Sequence, residues 1–377
     1  METKLCAFCD FPLTEANRSK EHLIPNALGG LKKVSNFICR RCNNDFGGKW
    51  DSALAGQLNQ LAVLFGIVRA RGPVPAEIVE TVNGDRFRLN ADGFMTPADP
   101  SFIKEPVEGG LSIRMVARSM DEARSMIDGL KRRYPQLDVD VVMQGLRWES
   151  HYVSDSLKMS LDLGGQAACS SVIKSVMCLA SACGVDARKC DAARKFAMSA
   201  EECDRCFGYF YSRDLIACRP ANPIFHCVAI RGSRNSRQLI GYAEYYGFQR
   251  MVIRLSSDYE GPDLAACYAI DPISGEELSI EVDLYLSREE LEATCRAETA
   301  VPGEAELALR TALFAGLKRV SDREMRRVVD KAVNDAFAVL SASGLESATA
   351  DQLADLAFDN MLPYLVHRIS KREPSDP

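Results

Sequence analysis

A chain of 377 residues, 47% hydrophobic and 26% charged, has the balance of an ordinary globular protein and the length for two or three domains. Its net charge of -6 argues against coating nucleic acid by bulk electrostatics. No apolar run follows Lys4, and Lys174 and several serines interrupt the most apolar later stretch, so neither a signal peptide nor a membrane span is expected and the setting should be cytoplasmic. The charge is uneven: residues 1 to 50 hold eight Lys or Arg against five Asp or Glu, leaving +3 there and -9 on the rest. A polyanion partner should therefore approach the amino-terminal end.

In chain order, the first elements are two Cys-x-x-Cys knuckles, Cys6/Cys9 and Cys39/Cys42, with 29 residues between them. Each such spacing turns two thiolates toward one tetrahedral ion, and two of them complete a structural zinc site. A module of some 50 residues buries too little apolar surface to be secure alone, so binding energy from a metal would help it fold. Inside the loop stands "EHLIPNALGG", with Glu21 directly before His22, one of four histidines in the chain. Past the second knuckle, "DSALAGQLNQLAVLFGIVRARG" spaces Leu54, Leu58, Leu61 and Leu64 as a helix behind a capping Asp51, running to Gly72-Pro73. "EIVETVNGDRFRL" is a hairpin turning at Asn83-Gly84, and a strand "LSIRMVA" precedes a helix opened by a capping box, Ser119 with Glu122. Gln166 to Cys183 is a small-residue core helix stopped by Gly184. Five strand-like segments, "IFHCVAI", "QLIGYAEYY", "QRMVIRL", "AACYAID" and "LSIEVDLYL", predict a mixed sheet between about Ile224 and Leu286. From Gly303 the chain is helical, with a second capping box at Ser321 and Glu324, a further helix near Asp351 to His367, and a polar tail "KREPSDP" expected to be disordered.

The remaining cysteines, Cys203-Asp-Arg-Cys206 included, are read as small buried hydrophobes, and His151, His226 and His367 as hydrogen-bonded or surface residues. The loop Arg231, Arg234, Arg237 is read as a basic turn between strands.

The first 50 residues resemble the HNH endonucleases, whose ββα-metal site is commonly held by a four-cysteine zinc. The matching positions are Glu21 and His22, then Asn36 after 13 residues, then Asn43 after six more, directly behind the second knuckle. The resemblance implies His22 as general base, Glu21 and Asn43 as oxygen ligands of one catalytic Mg²⁺ or Mn²⁺, and Asn36 as a brace hydrogen-bonding the loop that carries His22. Asn44 is an alternative ligand to Asn43. Phosphodiester hydrolysis needs these types together: an imidazole that takes a proton near neutral pH, and hard oxygen donors for an ion that leaves positions open to phosphate and water. Lys20, Arg40, Arg41 and Lys49 flank the site as phosphate contacts.

The expected architecture is α+β: an HNH module with structural zinc over residues 1-52, an α+β domain over 53-300 for specificity, regulation or dimerisation, and a helical region over 301-377. The expected activity is cleavage of DNA, in restriction or antiphage defence. Two rivals stand beside it: a non-catalytic zinc module that binds nucleic acid or protein, and a nuclease that stays latent until the α+β domain meets a ligand or partner.

Overall fold

The computed structural model describes residues 4-107, 110-146, 152-153, 155-199, 205-342 and 349-370. The expectations for His151, Cys203 and the 371-377 tail fall outside them. At the amino terminus, β1 (Arg18–His22) pairs antiparallel with β2 (Lys33–Cys39), Glu21 opposite Val34 and His22 opposite Lys33. Cys39 ends β2 and caps α1 (Arg40–Phe46), its Sγ accepting from the Cys42 amide, so the second knuckle is also a helix start. The loop between the strands is anchored by buried Leu23, Ile24 and Leu28. Gly30 is required there, because a Cβ would lie 1.8 Å from the Ile24 carbonyl oxygen. Phe8 meets Phe37, Phe46 and Trp50 edge to face, and Phe46 stacks on Trp50 at 3.7 Å.

A π-helical turn over Gly47–Asp51 leads into α2 (Ser52–Phe65). Two expectations fail here. Asp51 does not cap the helix, since its backbone is already helical and its side chain makes no cap bond. Nor does the helix reach Gly72-Pro73: Gly66 at φ 67° accepts the left-handed turn, and the Gly66 and Ile67 amides bond back to Val63 and Ala62, which is a Schellman stop.

Next come β3 (Glu77–Thr81), β4 (Arg86–Leu89), β5 (Met95–Pro97), β6 (Ser101–Val107), β7 (Gly110–Val116), α3 (Met120–Lys131), α4 (Val139–Gly145) and β8 (Leu157–Lys158). The first hairpin turns at Asn83-Gly84 as expected, with Gly84 at φ 95°. Strands β5-β4-β3-β8 form one sheet and β6-β7 a second. The Ser119 hydroxyl accepts from the Glu122 amide at 3.1 Å, as the capping box requires.

The chain continues with α5 (Gln166–Ala182) and α6 (Asp191–Met198). Every residue of α5 from Ala168 to Ala180 is buried, as in a helix wrapped on all sides. After these come β9 (Phe207–Tyr209), β10 (His226–Ser233), β11 (Gln238–Tyr245), β12 (Gln249–Ser256), β13 (Leu264–Ile270) and β14 (Glu277–Leu278). They form a six-stranded sheet in the order β14-β13-β10-β11-β12-β9. It is not mixed: every pairing is antiparallel, the β10-β11-β12 and β13-β14 neighbours joined by short turns and the β10-β13 and β12-β9 pairs made between strands that are not consecutive in the chain. Of "LSIEVDLYL" only the start joins the sheet, with one isolated bridge between Ile216 and Val282. Both faces are covered. Gly241 of β11 lies so close under α5 that a Cβ would sit 2.2 Å from a methyl of Val176, while Ile240, Tyr242 and Val252 pack with Leu284, Leu286 and Leu291 on the other side.

After α7 (Arg288–Cys295) come α8 (Glu304–Ala342) and α9 (Ala350–Ser370). Ser321 and Glu324 lie inside α8 and open no new helix, because nothing between Glu304 and Ala342 breaks the helical run. By compactness the chain forms two units, Met1–Pro75 with Leu161–Arg319, and Ala76–Ser160 with Val320–Pro377. The ββα module, α5 and the six-stranded sheet share the first.

Candidate functional site

Cys6, Cys9, Cys39 and Cys42 meet as expected, all four sulfurs within 4.8 Å of one another. Zinc–sulfur bonds of ~2.3 Å in a tetrahedron put sulfurs ~3.8 Å apart. The Cys9–Cys39 separation is 3.7 Å. The Cys39 amide donates to the Cys6 sulfur at 3.4 Å and the Cys42 amide to the Cys39 sulfur at 3.5 Å, bonds that favour thiolates. The donor set, its spacing and its amide bonds fit a structural zinc.

Glu21 and His22 stand at the end of β1. The Glu21 carboxylate is buried, and its Oε1 accepts from the Nζ of Lys174, on α5, at 2.5 Å. Lys174, itself fully buried, also donates to Asp51 Oδ2 at 2.6 Å, and Asp51 Oδ1 accepts from the Ser171 hydroxyl at 2.6 Å. A chain of contacts therefore runs from Ser171 through Asp51 and Lys174 to Glu21. Burial opposes charge on the Lys174 amine, but the Asp51 and Glu21 carboxylates outweigh it and raise its pKa, so it stays an ammonium. Burial pushes the Glu21 carboxyl up against the pull of that ammonium.

The His22 ring nitrogen Nε2 is buried and, among the described residues, has no hydrogen-bond partner. Its pKa is lowered to about 4, first by burial and then by Lys33, Arg71 and Lys174, so the ring is neutral at pH 7. Asn43 faces β1, its side-chain amide nitrogen donating to the Ser19 hydroxyl at 2.7 Å, while its Oδ1 makes no hydrogen bond among the described residues. Asn44 is exposed. Asn36 sits at φ 63° within the irregular stretch of β2, a conformation asparagine tolerates better than most residues. No side-chain bond from it to the His22 loop occurs among the described residues. Among the described residues no hydrogen bond is made by Glu21 Oε2, Asn43 Oδ1 or His22 Nε2, and a carboxylate oxygen, an amide oxygen and an imidazole nitrogen are donor types that suit a divalent ion.

Lys20, Arg40, Arg41 and Lys49 are exposed and, among the described residues, none is ion-paired. Arg41 lies over the Phe11 ring. Arg237 is paired with Asp258 and Glu260, and Arg231 covers Tyr285, so the 231-237 loop is a satisfied turn. His226 is fully buried and fully bonded, Nε2 donating to the Leu28 carbonyl at 2.8 Å and Nδ1 accepting from the Tyr246 amide at 3.0 Å. Cys227 and Cys267, 3.5 Å apart, lie on neighbouring strands β10 and β13.

Sequence reading missed Lys174, Ser171 and the real duty of Asp51. The available signal was a lysine at a core position of a helix that is otherwise small and apolar. No helix among the described residues is long and apolar enough to cross a membrane.

No curated protein and no solved structure matches the chain. The family model described as HNH endonuclease matches residues 6–59, which extends past the expected 50 residues to take in Asp51 but stops far short of Lys174. Residues 6–59 thus form an HNH-type segment with a four-cysteine cluster that fits zinc, and they make this part of the chain similar to a family of nucleases.

Proposed function

We propose that the protein is a metal-dependent endonuclease that hydrolyses DNA phosphodiester bonds, with His22 as general base and Glu21 and Asn43 holding one Mg²⁺ or Mn²⁺. The observation that carries this reading is the buried Nε2 of His22, which has no hydrogen-bond partner among the described residues and follows Glu21 directly at the end of β1. A buried polar atom without a partner costs free energy, and a reacting water would supply one. His22 takes the proton from that water as it attacks phosphorus. Bound divalent metal would supply charge neutralisation at the phosphoryl and leaving oxygens. The exposed Lys20, Arg40, Arg41 and Lys49 contribute backbone contacts, and Lys33 and Arg71, which bear on His22 electrostatically, add to the same positive field. Asn36 shapes the strand behind the loop. Residues 53-300 serve specificity, regulation or dimerisation and 301-377 form a helical appendage, in a cytoplasmic enzyme of restriction or antiphage defence.

One observation favours the rival binding module: half of the Glu21 carboxylate is already spent on Lys174. Plasmid cleavage with Mg²⁺ and Mn²⁺, by wild type and by zinc-loaded His22→Ala, separates the readings. Cleavage by wild type and its loss in the variant is the expected result. Retained cleavage overturns His22 as the base, gel shifts without cleavage under any divalent ion support the binding module, and cleavage only with an added ligand supports a gated enzyme.

A further inference from the structure

Lys174 lies on α5, 115 residues beyond the end of the family match, yet its ammonium touches the acid next to the proposed base. We infer that Lys174 is a positioning residue of the divalent-ion site, one that the HNH segment itself does not contain. This rests on the nuclease reading above.

Glu21 has two oxygens. Lys174 holds Oε1, and Oε2 makes no hydrogen bond among the described residues. Lys174 is fixed in turn: it is wholly buried, Asp51 holds it at 2.6 Å, and Ser171 holds Asp51. A buried ion pair is a weak device for stability alone, since apolar groups of similar volume often do as well or better. At position 174 the surrounding helix is made of small and apolar residues, where a methionine would fit that purpose. An ammonium shared by two carboxylates is instead suited to holding one of them in place for a ligand, as outer hydrogen-bond partners of metal ligands do.

The test uses full-length, zinc-loaded protein and reads Mn²⁺ affinity by electron paramagnetic resonance, together with zinc content, thermal melting and plasmid cleavage. Lys174→Met should weaken Mn²⁺ binding by about 10- to 100-fold, the usual cost of removing such a partner, with zinc retained. A merely structural lysine would lower the melting temperature and leave the Mn²⁺ affinity of the folded protein unchanged, and that result overturns the assignment. Should Lys174→Met fail to fold, Lys174→Arg decides: it keeps the charge, but its planar fork cannot reproduce the same contacts. Weaker Mn²⁺ binding in folded Lys174→Arg supports the role, and wild-type affinity overturns it. Wild-type protein that holds zinc but binds no Mn²⁺ takes down the nuclease reading itself, whereas wild-type protein that binds and cuts, alongside folded variants that bind equally well, overturns only the role of Lys174.

Discussion

The two charged clusters of the amino-terminal module are built on opposite plans. The sulfur cluster takes its four ligands from two short knuckles within residues 6 to 42. The carboxylate cluster brings Glu21 and Asp51 to a lysine 153 and 123 positions away. One is assembled locally and has the donor set for a zinc ion; the other exists only once α5 has packed between the module and the six-stranded sheet. Loss of the first should therefore undo the module, while loss of the second should leave it standing but badly aimed.

The largest expected effect follows from Cys39→Ser. Structural zinc contributes on the order of 10 kcal/mol in small modules, so the variant should lose zinc, and the amides of β2 should lose protection in hydrogen exchange while those of β11 and β12 keep theirs. A folded, zinc-free module would break the contrast. His22→Ala comes next: removal of a general base costs about 10²- to 10⁴-fold in rate, read as plasmid cleavage with zinc content and melting unchanged.

A smaller effect is a pH dependence of stability. His226 has its pKa lowered to about 3, by burial first, and His22 to about 4. Both take up protons more readily when unfolded, so the stability they confer is complete above pH 6.5 and is lost progressively as pH falls toward those values. Wholly buried His226 should cost about 2 kcal/mol between pH 6.5 and 5, and the less buried His22 should cost less, because solvent screens it. Urea melts of wild type at pH 7 and 5 should show that loss, and His226→Gln should remove the larger part of it. A flat profile in wild type would sink the assignment. The smallest effect concerns the exposed Lys32–Glu277 pair, which also joins the module to the sheet. Lys32→Ala should cost under about 1 kcal/mol, against the larger penalty at buried His226, and equal penalties would show that burial does not decide between them.

What could be read from the chain follows the same division. The zinc clasp, the Glu21-His22 pair and Asn43 are encoded by spacing within a few dozen residues. The hairpin at Asn83-Gly84 and the cap at Ser119 are likewise local and are present as expected. Asp51 was legible only as a helix cap, because aspartate before an apolar helical run favours that role, and the π-helical turn that carries its carboxylate to Lys174 has no local signature. Lys174 could be read as an obstacle to a membrane span, but its partners lie across the whole fold. Strand segments were visible by composition. Their direction was not, since it depends on which neighbours pair. Gly66 was a readable stop, overlooked in favour of the stronger Gly72-Pro73 pair.

The close approach of Gly241 to Val176 has a consequence for portability. Val176 stands two residues from Lys174 on the same helix, so the β-sheet acts as the bench on which the counter-ion of Glu21 is mounted. A cassette cut at residue 59 and grafted elsewhere would carry its metal clasp along and leave that carboxylate unmatched. Swapping modules between relatives of this architecture should succeed only when the supporting helix travels with them.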